Sequence, residues 1–280
     1  MMKEVSSIHA LKEILGRIKK KGKKIGFVPT MGYLHEGHLS LVRIAHKHSD
    51  FVVCSIFVNP IQFGPNEDFN RYPRDVKRDK ALLKKEKVDL LFYPSVKEMY
   101  ADDYKTYVEV SELSSILCGR SRPGHFRGVA TVVLKLFNII KPDIAVFGEK
   151  DYQQAIIIQK MVKDLNLDVK LIIGPIVREK DGLAMSSRNT YLTPEERTNA
   201  TVIYQALKWA RESFHKENIK SPEYVINQMH QMIKAKNGIV DYIAVVDKND
   251  LSPVRFIKKG DRILMAVFFG RTRLIDNIAI

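Results

Sequence analysis

Two histidines separated by Glu36-Gly37, in the string Pro29-Thr30-Met31-Gly32-Tyr33-Leu34-His35-Glu36-Gly37-His38, are well suited to chemistry on an anion. The string follows the apolar run Ile25 to Val28 and precedes apolar residues at helical spacing, so it joins a strand to the first turn of a helix. Unpaired backbone N–H groups and the dipole at a helix start favour an anion, and Gly32 and Gly37 would let a phosphate approach the backbone. The same dipole should keep both imidazoles neutral, each able to offer an N–H to a phosphoryl oxygen. Zinc fits poorly, because the H-E-x-x-H pattern sets its histidines four apart and here they are three apart. The plain alternative is a helix start with two surface histidines.

A second strand-to-helix join, Phe147-Gly148-Glu149-Lys150-Asp151-Tyr152-Gln153-Gln154, puts Lys150 where a cation opposes a helix dipole. That placement suggests compensation by a bound anion such as a phosphate, against the plain reading of a surface lysine beside two acids. A third polar segment, Ala184-Met185-Ser186-Ser187-Arg188-Asn189, offers two hydroxyls and a guanidinium to phosphate oxygens, although a tetrapeptide of this kind is by itself an ordinary loop. Gln62, in Phe57-Val58-Asn59-Pro60-Ile61-Gln62-Phe63-Gly64, could hold a small polar acid through its amide.

The elements that must position these groups follow from periodicity. Ile8, Leu11, Ile14, Leu15 and Ile18 mark an opening amphipathic helix, and Ile25 to Val28 a strand. Strands are then expected at Phe51 to Val58, Asp89 to Tyr93, Ile144 to Phe147 and Val169 to Ile173. Helices are expected near Asp75 to Lys87, Val129 to Ile140 and Tyr152 to Leu165. Such alternation predicts an α/β fold with a parallel sheet covered by helices on both faces, whose ligands bind beyond the carboxyl ends of the strands. After Gly174-Pro175 the character changes. Thr193-Pro194-Glu195-Glu196 reads as a capping box with proline at the first helical position, and two helices and a strand-rich tail (Ile239 to Val246, Ile263 to Phe269) complete a smaller α+β C-terminal domain. The expected division is 1–176 and 177–280.

Composition narrows the class. A hydrophobic fraction of 45% and a charged fraction of 28% allow a full core. The 46 Lys+Arg against 32 Asp+Glu, formally +14, would suit nucleic acid, an anionic membrane or phosphorylated substrates, but the basic residues are scattered. Two cysteines exclude a disulfide framework, and Cys54 lies in an apolar run where a buried, inert thiol is usual. With no secretory leader and no membrane-length apolar stretch, a cytoplasmic chain is expected.

His35-Glu36-Gly37-His38 resembles the H-x-G-H signature of the nucleotidyltransferase superfamily that includes class I aminoacyl-tRNA synthetases. The full string Pro29 to His38 is more closely similar to the pantoate–β-alanine ligase family. The 147–154 segment matches that family's F-G-x-K-D-x-Q-Q element. Met185 to Arg188 match its M-S-S-R version of the K-M-S-K-S loop, with Ala184 and Ser187 in place of the synthetases' lysines. Asn59 to Gly64, Asp68 with Tyr72-Pro73-Arg74, and Arg120 to Val129 extend the resemblance over roughly 25 to 190.

The resemblance implies a Rossmann-like ATP- and pantoate-binding domain with the smaller domain closing over it, and condensation of pantoate with β-alanine through a pantoyl-adenylate, releasing AMP and pyrophosphate. It implies ATP contacts at Met31, Gly32, Tyr33, Leu34, His35, Glu36, Gly37, His38, Gly148, Glu149, Lys150, Asp151, Val177, Met185, Ser186, Ser187 and Arg188. His38, His35, Lys150 and Arg188 would be catalytic, Gln62, Gln154 and Arg122 would serve the acid and amine substrates, and Asp79 would organise Mg²⁺. A homodimer, without nucleic acid or membrane as partner, is also implied. A nucleotidyltransferase making a nucleotide product is the nearest alternative, separable by product analysis. A basic RNA-binding protein is the other, marked by salt-dependent RNA binding without ATP turnover.

Overall fold

The computed structural model describes residues 2–65 and 67–280. Its first sheet consists of β1 (Lys3–Val5), β2 (Ile25–Thr30), β3 (Phe51–Ile56), β4 (Leu90–Phe92), β5 (Ile144–Gly148) and β6 (Lys170–Gly174). All are parallel, in the order β1-β4-β3-β2-β5-β6. The helices around it are α1 (Ile8–Lys20), α2 (Glu36–His48), α3 (Val76–Lys85), the short α4 (Val96–Met99) and α5 (Cys118–Ser121), α6 (His125–Ile140) and α7 (Tyr152–Asp164). Alternate residues of the central strands supply two cores. Phe27, Val53, Ala145 and Phe147 pack against α1, α6 and α7, while Val28, Val52, Cys54 and Val146 pack against α2 and α3. This is the two-faced sheet expected from the strand and helix alternation.

Winding proceeds outward from β2 through β3 to β4, then jumps across to β5 and β6. The carboxyl ends of β2 and β5 therefore diverge, leaving the crevice where ligands bind in open parallel sheets. The two motif turns lie at those two strand ends.

Beyond β6 come α8 (Pro194–Asn199), α9 (Val202–Glu217), α10 (Pro222–Lys234) and an antiparallel sheet of β7 (Ile239–Val246), β8 (Arg262–Phe269) and β9 (Thr272–Ala279). They share a separate core around Ile203, Leu207, Met229, Met265 and Val267. The Thr193 capping box is formed, with Glu196 accepting from the Thr193 N–H at 2.9 Å. Three helices stand where two were expected, because α8 and α9 are separated by only two residues. Two strands escaped the sequence reading. The edge strand β1 has only three residues, too few to show a period, and in β9 the buried Asp276 and Asn277 interrupt the apolar alternation.

Candidate active site

The turn after β2 is stitched from within its own unit. Asp79 of α3 is 1% exposed, and its two carboxylate oxygens accept the N–H groups of Tyr33 and Leu34, each at 2.7 Å. Gly32 sits at φ +84°, where a Cβ would lie 3.0 Å from Asp79 and from Ile56. Its glycine is thus required by the backbone conformation and by the Asp79 brace. A Cβ on Gly37 would stand 2.9 Å from the His35 ring, so this glycine makes room for an imidazole. In both places the missing Cβ leaves room for a neighbouring side chain, a need that the sequence did not indicate, and Gly37 also lines the cleft described below.

His35 is the N-cap residue of α2, and its N–H donates to His38 Nδ1 at 3.3 Å. Since Nδ1 accepts, the proton of neutral His38 resides on Nε2, the nitrogen available to a ligand. His38 is pulled down to about 4, by burial and then by Lys150. Burial, His38 and Lys150 take His35 to about 3. The imidazoles are neutral, as expected, with burial as the largest cause. The rings lie 4.1 Å apart, and His35 Nδ1 is buried without a hydrogen-bond partner among the described residues.

The turn after β5 is held from the other unit. Asn277 of β9 donates through Nδ2 to the carbonyls of Glu149 and Lys150, at 2.9 and 3.0 Å. Arg262 of β8 donates to Asn277 Oδ1 at 2.6 Å and to Glu149 at 2.9 Å, and stacks 4.0 Å from the Tyr152 ring. Among the described residues Lys150 keeps only a loose ion pair with Asp151, at 3.9 Å. The two adjacent glutamines divide their work. Gln153 is buried and bonded to Leu113, Ile116 and Cys118, whereas Gln154 lines the cleft.

Gln62 is locked into the opposite wall. Asn59 Nδ2 donates to Gln62 Oε1 and to the Gly128 carbonyl, both at 3.1 Å, while Tyr100 donates to Asn59 Oδ1 at 2.8 Å. This orientation leaves the Gln62 amide nitrogen toward Met31 and the cleft, at 3.1 Å from the Met31 sulfur. His125 Nδ1 donates to the Gln62 carbonyl at 2.8 Å, its other nitrogen accepting from Arg122 at 3.0 Å. A Cβ on Gly128 would come within 2.4 Å of the Ile61 carbonyl, so only glycine lets α6 pack this closely.

One cavity gathers Met31, His35, Gly37, His38, Gln62, Gly148, Lys150, Asp151, Gln154, Val177 and Met185 to Arg188. Val132, Val133 and Leu136 of α6 add an apolar wall that the sequence reading did not assign. Ser187 faces Tyr72 Oη at 3.2 Å, and Arg188 is paired in two hydrogen bonds with Asp68, at 2.9 and 2.8 Å.

Other expected contacts lie elsewhere. Leu34 is fully buried, Glu36 pairs with Arg43, Glu149 pairs with Arg262, and Gly32 and Tyr33 face a neighbouring cavity together with Asp79. Arg122 is tied to Glu67 through two hydrogen bonds. Asp79 does not fit a metal role, because both oxygens already serve backbone amides. Among the described residues no three His, Cys, Asp or Glu side chains converge as a metal set. Asn59, Tyr100 and His125 were missed as supports: Asn59 lies three residues from Gln62 but carries no mark of its role, and Tyr100 and His125 reach this wall only through the fold.

The family model described as pantoate-beta-alanine ligase matches residues 3–279. The pantothenate synthetase of Caldicellulosiruptor saccharolyticus is 57% identical over 99% of this chain and 98% of its own length. That of Thermotoga neapolitana is 55% identical over 99% of each. The crystal structure of the Thermus thermophilus pantothenate synthetase superposes with a TM-score of 0.94 at 46% identity, covering 99% of each chain. The Francisella tularensis pantoate-beta-alanine ligase, complexed with beta-gamma ATP and beta-alanine, is 39% identical with a TM-score of 0.84, covering 100% of this chain and 98% of that one.

Proposed function

The chain belongs to the pantoate–β-alanine ligase family and joins pantoate to β-alanine using ATP, and we propose that the cleft between the ends of β2 and β5 carries out this reaction in two steps. The observation that carries the proposal is the convergence of two neutral imidazoles, Lys150, and the amides of Gln62 and Gln154 on one cavity.

In the first step a carboxylate oxygen of pantoate attacks the α-phosphorus of ATP. The bond to the bridging oxygen breaks with its electron pair, and pyrophosphate leaves. The carboxylate is a poor electrophile until it carries AMP, so the amine waits for the second step, attacks the acyl carbon and expels AMP. Positioning and charge neutralisation account for catalysis here more than covalent help. Gln62 and Gln154 orient pantoate; His38 Nε2–H and Lys150 face the α-phosphate; Ser186 and Ser187 hold the outer phosphates. Arg188 joins them by exchanging Asp68 for phosphate oxygens, a like-for-like replacement of one anion by another. Val177 and Met185 offer an apolar bed to the adenine.

Magnesium enters this reading as the companion of the ATP phosphates, which need only one or two protein carboxylates at most. Asp151 lines the cleft and is the side chain available to it; no step is routed through the ion. The C-terminal unit, 177–280, is read as the part that closes over the cleft, and the family resemblance supports a homodimer. No helix among the described residues is long and apolar enough to cross a membrane.

The test is exchange of labelled pyrophosphate into ATP. Pantoate alone should support it, with no need for β-alanine. Exchange that requires the amine would overturn the adenylate step, as would exchange driven only by a nucleotide acceptor.

A further inference from the structure

A second cavity, of about 340 Å³, opens from the cleft through Lys150, Asp151, Ser186 and Arg188 and runs between the 67–71 loop and the β8–β9 turn. Six cations line it: Arg71, Arg122, Lys150, Arg188, Arg271 and Arg273. Among the described residues only three carboxylates face them, Glu67, Asp68 and Asp151. Arg122, Arg188 and Arg273 are each paired, with Glu67, Asp68 and Asp241. Arg71 stacks 5.9 Å from the Tyr191 ring, and among the described residues neither it nor Arg271 forms an ion pair with a carboxylate. A concave surface with such an excess of guanidinium groups concentrates a small polyanion.

We propose that this annex receives inorganic pyrophosphate as it leaves ATP, with Arg71 and Arg271 as its outer ligands. The inference rests on the adenylate reading above. Of the residues shared between annex and cleft, Ser186 and Arg188 are assigned to the outer phosphates and Lys150 to the α-phosphate, so a pyrophosphate released there has the annex directly beyond it. Guanidinium groups suit the site because their planar donor fork grips phosphate oxygens in pairs and stays charged throughout.

The experiment measures pantoate-dependent exchange against pyrophosphate concentration in the full chain and in the double variant Arg71→Gln/Arg271→Gln. Both side chains are exposed, so the fold should be kept, with circular dichroism as the check. The KM for pyrophosphate should rise roughly tenfold, the scale of one charge-assisted contact. The KM for pantoate in exchange, and that for β-alanine in the complete ligation, should stay within about twofold, set by contacts elsewhere. Arg71→Lys/Arg271→Lys, keeping charge without the fork, should fall between. The distant pair Lys19→Gln/Lys20→Gln controls for net charge and should match the parent.

An unchanged pyrophosphate KM in the glutamine variant overturns the assignment, and an equal rise in the lysine-surface control reduces it to general charge. A parent chain with no pantoate-dependent exchange overturns the adenylate reading instead.

Discussion

The two motif turns reach the same cleft by different means. The turn after β2 is braced by Asp79 from its own sheet unit, and its histidines are held neutral by burial. The turn after β5 has its carbonyls fastened by Asn277 from β9, and it presents a lysine with only a loose partner. One wall is therefore set when the large unit folds. The other depends on the small unit being docked, which couples the position of Lys150 to the part of the chain expected to move. Damage to the small unit should be felt at Lys150 and leave the histidine wall in place.

The largest effect that sharpens this contrast is expected at His38. Removal of one preorganised donor to developing charge costs ~10²–10³ in rate. His38→Ala should lower single-turnover adenylation by about that factor while ATP binding, shared among several groups, weakens much less. Lys150→Ala should follow, at about a hundredfold in the same step. Thermal unfolding of that variant should be near normal, since the side chain has no close buried partner among the described residues. A Lys150 variant with normal turnover and a lowered Tm would make the lysine structural and erase the contrast.

Asn277→Ala comes next, at roughly tenfold, because only part of the ~2 kcal/mol in its two hydrogen bonds, about 1 kcal/mol each, is felt at the lysine and none of it touches substrate. If Asn277 acts through Lys150, the double variant with Lys150→Ala should be no slower in adenylation than Lys150→Ala alone. Additive losses would mean that Asn277 has an independent role.

Smaller still is a pH effect on stability. His35, His38 and His125 titrate in the folded chain near 3, 4 and 3, below the unfolded value of about 6.5. Between those values the unfolded chain binds more protons, so the stabilisation is complete above about pH 6.5 and is lost as pH falls toward the folded values. Chemical denaturation at pH 7 and pH 5 should show the lower midpoint at pH 5. His38→Ala should flatten part of that difference.

How much of this was visible in the sequence depends on how local the cause was. The parallel sheet, both motif turns and the capping box at Thr193 depend on short-range period and residue type, and they stand close to where the sequence placed them. What escaped is non-local. Asp79 is 46 residues from the Tyr33 amide it accepts, and nothing in its surroundings separates a brace from a metal ligand. Gly37 also leaves room for the His35 ring folded back against it, a need that only the fold shows. Arg122 and Arg188 looked free because Glu67 and Asp68 find them only in three dimensions. β9 was hidden because Asp276 and Asn277, buried to hold Arg178 and the Lys150 loop, break the alternation that marks a strand.

The central claim is that neutral His38, with its proton on Nε2, donates to the α-phosphate during adenylation. Single-turnover measurement of pantoate adenylation from pH 8 to pH 6 tests it most directly. With the imidazole titrating near 4, the rate should not rise as the solution is acidified across that range. A rate that climbs toward pH 6 would mean that the imidazolium is the active form, contradicting the neutral donor.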